Sequence, residues 1–304
     1  MSLTRRAFAA ISLSPLLSKI AAADERSVNP KVAKIAADVS EDRIKAIIAK
    51  LVSFETRNTM SNADHPTRGI GAARQWILQE MQSYSPRLKV SFDKYRVKKQ
   101  GQRIFKDVDL WNVIAILPGT KYPETQVFVS GHYDTLNLGT RPAGQAAGPG
   151  TEAPAVGATT AQMTPEQFEK NAELPAPGAC DDGSGTAAVM ELARVMSQHE
   201  FDKTIVFVAF AGEEQGLIGS TLLAARVKKE NQVVEAVLNN DIIGTDVSGN
   251  GRMSNNSVNV FSDAGSCRAC RAKATVSTMQ PWKASSEPSS ASSSTSTNSR
   301  ALKH

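Results

Sequence analysis

Long apolar runs, cysteine and histidine are all scarce in this chain of 304 residues. After residue 23 no apolar stretch reaches the roughly 18 residues of a membrane span, which excludes a polytopic membrane protein. Three cysteines, Cys180, Cys267 and Cys270, are too few for a disulfide framework. No G-x-S-x-G segment occurs, so a nucleophile elbow is excluded. The chain also lacks a basic body, although its formal net charge is +5. Residues 1–23 hold three basic groups and no acid, and 267–304 hold six basic groups and one acid, Glu287. The intervening 24–266 carry 26 Lys+Arg against 29 Asp+Glu, a net of −3. The positive balance therefore sits in the two ends and carries no argument for a nucleic-acid partner.

What is present begins with a targeting pattern. Thr4-Arg5-Arg6-Ala7-Phe8 leads an apolar run to Leu17, and Ala21-Ala22-Ala23 precedes Asp24. A basic n-region, a short h-region and an A-x-A site predict a signal peptide over 1–23. The paired arginines make it twin-arginine-like, with a Sec signal as the alternative. The expected destination is outside the cytoplasm, periplasmic or secreted.

Residues 24–39 form a polar, Ala-rich lead-in. Ser40 with Glu41 and Asp42 offers a helix cap, and Ile44, Ile47, Ile48, Leu51 and Val52 follow at helical spacing. A second helix is expected from Ile70 to Tyr84, with others over Thr186–Ser197 and Leu217–Lys229. Apolar bursts of strand length occur at Leu88–Phe92, Val113–Leu117, Val127–Val129, Ile205–Phe210, Val233–Leu238 and Val258–Phe261. The alternation predicts an α/β fold, a mixed and mostly parallel central sheet flanked by helices. The early bursts have no helix between them, so that edge is expected to be antiparallel. The folded body spans 40–265, interrupted by a Gly-, Pro-, Ala- and Thr-rich loop over 139–178. In the tail after residue 265, 14 of the last 38 residues are Ser or Thr, a composition that does not support a packed core.

Four motifs fall at expected strand or turn ends. They are Gly131-His132-Tyr133-Asp134, Gly178-Ala179-Cys180-Asp181-Asp182-Gly183, Ala211-Gly212-Glu213-Glu214 and Asn239-Asn240-Asp241. In open α/β sheets ligands gather beyond the carboxyl ends of strands, so the four ends can share one crevice. One imidazole and several carboxylates there suit zinc, or manganese or cobalt. A carboxylate pair held in such a place is costly to desolvate without a cation.

This ordered set resembles the two-zinc exopeptidases of metallopeptidase family 28, which include bacterial leucyl aminopeptidases with carboxypeptidase and glutaminyl-cyclase relatives. Thr56-Arg57-Asn58-Thr59 and the run from Trp111 to Gly119 are similar to its lead-in region. The resemblance covers about 40–263 and implies a zinc-dependent exopeptidase, of the aminopeptidase type, acting on peptides. It implies that His132 and Asp241 bind one zinc, that Asp181 bridges two, and that Glu214 binds the second. It implies a cis bond between Asp181 and Asp182. Glu213 would be the general base, and Asp134 would accept the other ring N–H of His132.

The sequence departs from that pattern in two places. The 139–178 insertion separates His132 from Asp181, and no residue matches the further histidine that the family's second zinc requires. His65 and His199 lie outside any matching motif and read as solvated surface groups, while His304 is the last residue. The expectation is a C-terminally truncated or frameshifted member, with a non-catalytic or single-metal remnant as the alternative. Gly183-Ser184-Gly185-Thr186-Ala187-Ala188 also fits a dinucleotide fingerprint, but Asp-Asp rather than a strand precedes it. Cys267-x-x-Cys270 lacks a second pair and reads as incidental.

Overall fold

The computed structural model describes residues 29–137 and 164–243. The signal pattern, the Val258–Phe261 burst, both tail cysteines and the Ser-rich tail lie outside the described residues. The elements are α1 (Pro30–Ala37), α2 (Glu41–Val52), α3 (Gly69–Tyr84), β1 (Lys89–Val97), β2 (Val108–Leu117), β3 (Tyr122–His132), α4 (Pro165–Ala172), α5 (Gly183–Met196), β4 (Lys203–Phe210), α6 (Ile218–Lys229) and β5 (Val233–Asn239).

The five strands form one sheet in the order β1-β2-β4-β3-β5. β2 runs antiparallel to both β1 and β4, while β3 is parallel to β4 and β5. Four of the five strands thus point the same way. The mixed, largely co-directional sheet flanked by helices matches the expected class, and its antiparallel edge is the one without intervening helices. A continuous apolar run, Ile205-Val206-Phe207-Val208-Ala209, makes β4 the central strand, buried on both faces.

Two helical layers sandwich the sheet. On one face α2, α3 and α5 bury Leu51, Ile77, Met81, Val189 and Met190 against Val113, Ala115, Phe207 and Ala209. Fully burying each such aliphatic side chain contributes about 1.5–3 kcal/mol. On the other face Leu223 and Val227 of α6 pack over Ile114, Phe128, Val206 and Val208. Helix starts follow their capping residues. Ser40 accepts from the Arg43 N–H at 3.3 Å ahead of α2, and Asn29 with Pro30 opens α1 inside the lead-in. Composition alone reads 139–178 as a loop, yet α4 begins at its residue 165. A full capping box, Thr164 with Gln167, nucleates it, and Phe168 and Ala172 bury its inner side. No helix among the described residues is long and apolar enough to cross a membrane.

Candidate metal centre

β3, β4 and β5 are parallel neighbours, so their carboxyl ends open on one side of the sheet. His132 closes β3, Glu213 and Glu214 follow β4, and Asp241 follows β5. The turn ahead of α5 brings Asp181 and Asp182 to the same place. Gly131 permits this approach, because a Cβ there would lie 2.8 Å from the carbonyl carbon of Gly185 and 3.0 Å from the Thr186 nitrogen. The start of α5 can therefore press on β3, where Thr186 Oγ1 donates to the His132 carbonyl at 2.8 Å.

His132 Nε2 is the hub. It lies 3.2 Å from Asp181 Oδ1, 3.8 Å from Glu213 Oε2 and 3.9 Å from Asp241 Oδ1. The imidazole is 4% exposed, while Asp181, Glu213 and Asp241 are 52%, 32% and 42% exposed, so the carboxylates form the open rim. Glu214 turns toward a cleft of about 350 Å³ lined by Leu136, Pro175, Pro177 and Asp181.

Asp134 does more than the sequence suggests. The nearest oxygen to His132 Nδ1 is its main-chain carbonyl at 3.2 Å, with the carboxylate at 3.6 Å. The carboxylate instead accepts from the N–H groups of Glu213 and Glu214 and from the Thr59 hydroxyl, each at 3.2 Å. It thereby links the histidine-bearing strand to the glutamate pair.

His132, Asp182 and Asp241 each place one ligand atom within 4.8 Å of the others. Asp182, however, is fully buried and committed to backbone donors. Its oxygens accept from His132 N–H at 3.0 Å, Gly185 N–H at 2.7 Å and Ile242 N–H at 3.3 Å. Asp181, next to it across a cis peptide, is the exposed partner and faces His132 Nε2. The geometry thus leaves Asp181 open to the crevice and makes Asp182 a brace between backbone donors. The same brace explains the neighbouring glycine pattern without a nucleotide. A Cβ on Gly185 would lie 2.4 Å from both Asp182 Oδ2 and the Asn240 carbonyl oxygen.

The carboxylates of the cluster are crowded together and partly withdrawn from water. Burial pushes Glu214 up to about 8 and Asp182 up to about 7, and also raises Glu213 and Asp241. For His132 burial disfavours the imidazolium, but hydrogen bonds to Asp134 and Asp181 and the nearby negative charges prevail, pushing it up to about 12. The shared direction of these shifts is a raised affinity for positive charge. A bound cation would take the place of protons held there. One imidazole nitrogen among carboxylate oxygens is a donor set that zinc accepts.

Among the described residues, the other two imidazoles, His65 and His199, make their contacts away from the cluster. His65 is exposed and accepts from Thr67 N–H at 3.3 Å. His199 differs from the solvated reading: it is partly buried, with Nε2 3.6 Å from Asp38. It sits at the far end of α5, where Arg87 also holds its carbonyl.

Residues 112–294 match the family model described as Peptidase family M28. The chain belongs to peptidase family M28. A "Probable zinc metalloprotease" of Pyricularia oryzae is 41% identical over 233 residues, 75% of this chain and 40% of the relative. Another from Pyrenophora teres f. teres is 39% identical over 219 residues, 71% of this chain and 39% of the relative. The chain thus spans about two fifths of the length of these relatives. Among solved structures, a Zn-dependent exopeptidase from Parabacteroides distasonis has a TM-score of 0.49 at 17% identity, over 69% of this chain and 64% of that one.

Sequence reasoning missed the supports. Thr59 and Arg57 were visible only as part of a lead-in segment, and nothing in their local spacing ties them to residues 75 or more positions away.

Proposed function

We propose that this chain carries the catalytic centre of a zinc-dependent exopeptidase of the aminopeptidase type, acting on peptides outside the cytoplasm. The observation that carries the reading is the convergence of Asp181, Glu213 and Asp241 within 3.9 Å of one imidazole nitrogen. Family membership supports peptide hydrolysis. The resemblance of the four motifs supports the aminopeptidase type, and the pattern over 1–23 supports export. His132, Asp181 and Asp241 would hold one zinc, and Asp181 with Glu214 a second. Bound zinc lowers the pKa of a coordinated water to about 7 and polarises a carbonyl oxygen.

The chain's own residues supply the rest. Glu213 Oε2 stands at the rim with raised proton affinity, suited to taking a proton from the attacking water and passing it to the departing amine nitrogen. Asp134 holds the Glu213 main chain in place. The wall of Leu136, Pro175 and Pro177 offers apolar contact to a substrate side chain.

Metal analysis and hydrolysis of aminoacyl anilides by the purified protein test the proposal. Two zinc ions per chain and turnover are expected, with Glu213→Gln lowering kcat by about 10²–10⁴-fold while leaving zinc bound. A folded protein that takes up no zinc and shows no turnover sinks it. A second reading, a single-metal centre, draws on the absence of a further imidazole contact to Glu214 among the described residues. A stoichiometry of one would favour it.

A further inference from the structure

The stretch Thr56–Thr59 is polar and yet buried, with Thr56 and Arg57 at 0% and Asn58 and Thr59 at 2% exposure. Polar side chains are retained in such places when they are fully paired. The Arg57 guanidinium donates to four main-chain carbonyls: Tyr133 at 2.7 Å, Leu51 at 3.0 Å, Pro177 at 2.7 Å and Gly178 at 2.9 Å. The Arg57 N–H donates to Thr135 Oγ1 at 2.9 Å, and the Arg57 carbonyl accepts from Thr135 N–H at 3.2 Å. One planar cation thus ties the residues just after His132 to the turn that leads into Asp181. No lysine reaches four carbonyls in one plane.

Thr59 does the same for the glutamates. Its hydroxyl accepts from Gly212 N–H at 3.0 Å and donates to Asp134 Oδ2 at 3.2 Å. Asp134 then holds the N–H groups of Glu213 and Glu214. The three carboxylates nearest this segment in charge, Asp134, Asp181 and Asp182, oppose the loss of the Arg57 proton that burial favours.

We propose that Arg57 and Thr59 are positioning residues that set the metal centre from beneath: Arg57 fixes the His132 and Asp181 loops against each other, and Thr59 fixes the Glu213–Glu214 pair through Asp134. The inference rests on the metal-centre reading above, and touches no metal or substrate directly. Residues behind metal ligands typically change affinity or activity by 10–100-fold when altered.

Cobalt(II) is the probe, because its visible absorption reports ligand geometry independently of turnover. Titrations of the wild type, Thr59→Val, Thr59→Ser, Arg57→Lys and the surface control Arg96→Gln are compared, with circular dichroism as the fold check. Thr59→Val, close in shape but without the hydroxyl, is expected to bind cobalt about 10–100-fold more weakly with an altered spectrum. Thr59→Ser is expected to restore both, Arg57→Lys to alter both, and Arg96→Gln to match the wild type. A folded Thr59→Val with wild-type affinity and spectrum overturns the proposal, even if Arg57→Lys fails to fold. A wild type that binds neither cobalt nor zinc instead overturns the metal-centre reading and this inference with it.

Discussion

β3 enters the metal centre with its last five residues buried, whereas β5, its parallel neighbour, exposes six of its seven. The difference continues into the residues at their carboxyl ends. His132 is 4% exposed and Asp241 42%. His132 is braced by Thr186, Asp134 and Asp182. Around Asp241, Asn240 is tied to Ser130 and Ile242 to Asp182. Val233, Val237 and Leu238 of β5 are 52%, 62% and 57% exposed among the described residues. One half of the centre is thus set by a packed core, and the other by a strand whose apolar side chains are open. Ligands on rigid, buried elements are held more narrowly than ligands on open ones.

The sharpest way to break this comparison is to cut one side chain from the packed core beside β3 and one from β5. Phe207 in β4 is fully buried, so Phe207→Ala should destabilise the protein by about 3–5 kcal/mol. Val237→Ala in β5 should stay within about 0.5 kcal/mol, as open positions do. Chemical denaturation of both variants measures the difference. A Val237→Ala cost above about 1 kcal/mol would show β5 to be packed, since truncating a buried aliphatic side chain costs that much.

The second test moves to the ligand networks themselves. Asp134→Ala removes the acceptor for two N–H groups and the Thr59 hydroxyl, and each buried orphan costs about 1–3 kcal/mol. Relief of repulsion within the acidic cluster offsets part of this. A net loss of about 2–3 kcal/mol is expected in the metal-free protein. Asp241→Ala should cost less than about 0.5 kcal/mol in the same state while still weakening zinc binding. Equal losses in urea unfolding would erase the distinction between the halves.

This contrast also marks how far the sequence could be read. Strand and helix cores followed from local pattern: the first five apolar bursts became β1–β5, extended by neighbouring residues that pair without being apolar, such as Arg96, Gln126 and Lys203. The convergence of His132, Asp181, Glu213 and Asp241 was legible because glycines and strand ends mark them. The burial of Asp182 among backbone donors, with Asp181 left open, was not. It depends on which carboxylate faces the N–H groups of His132, Gly185 and Ile242, and those are residues brought together only by the crossover of α5. Thr59 and Arg57 were hidden for the same reason, since their partners are long-range main-chain groups that leave no trace in composition. α4 was hidden inside a compositional loop because its signal, a capping box, is only four residues long.

The smallest expected effect is one of pH, and it again separates the halves. Asp182 and Glu214 hold protons up to about 7 and 8, against ordinary values of 3.8 and 4.5, and His132 up to about 12 against 6.5. All three are raised, so between the unfolded and folded values the native state binds more protons than the unfolded chain. Their stabilisation is present below the unfolded values and is lost as pH rises through the folded ones. Chelator-treated protein should therefore unfold more easily at pH 8.5 than at pH 5.5, by about 1–2 kcal/mol on the scale of one shifted group. Zinc-loaded protein should show a flat or opposite slope, because a cation replaces the protons and requires the carboxylates ionised. Glu214→Gln should reduce the metal-free slope. Asp241→Asn, at a group with much of its side chain in water, should change it less. Thermal unfolding at a series of pH values, with and without zinc, reads all four slopes. If Asp241→Asn reduced the slope as much as Glu214→Gln, Asp241 after β5 would lie in the same desolvated field as the buried half, and the two halves would be one.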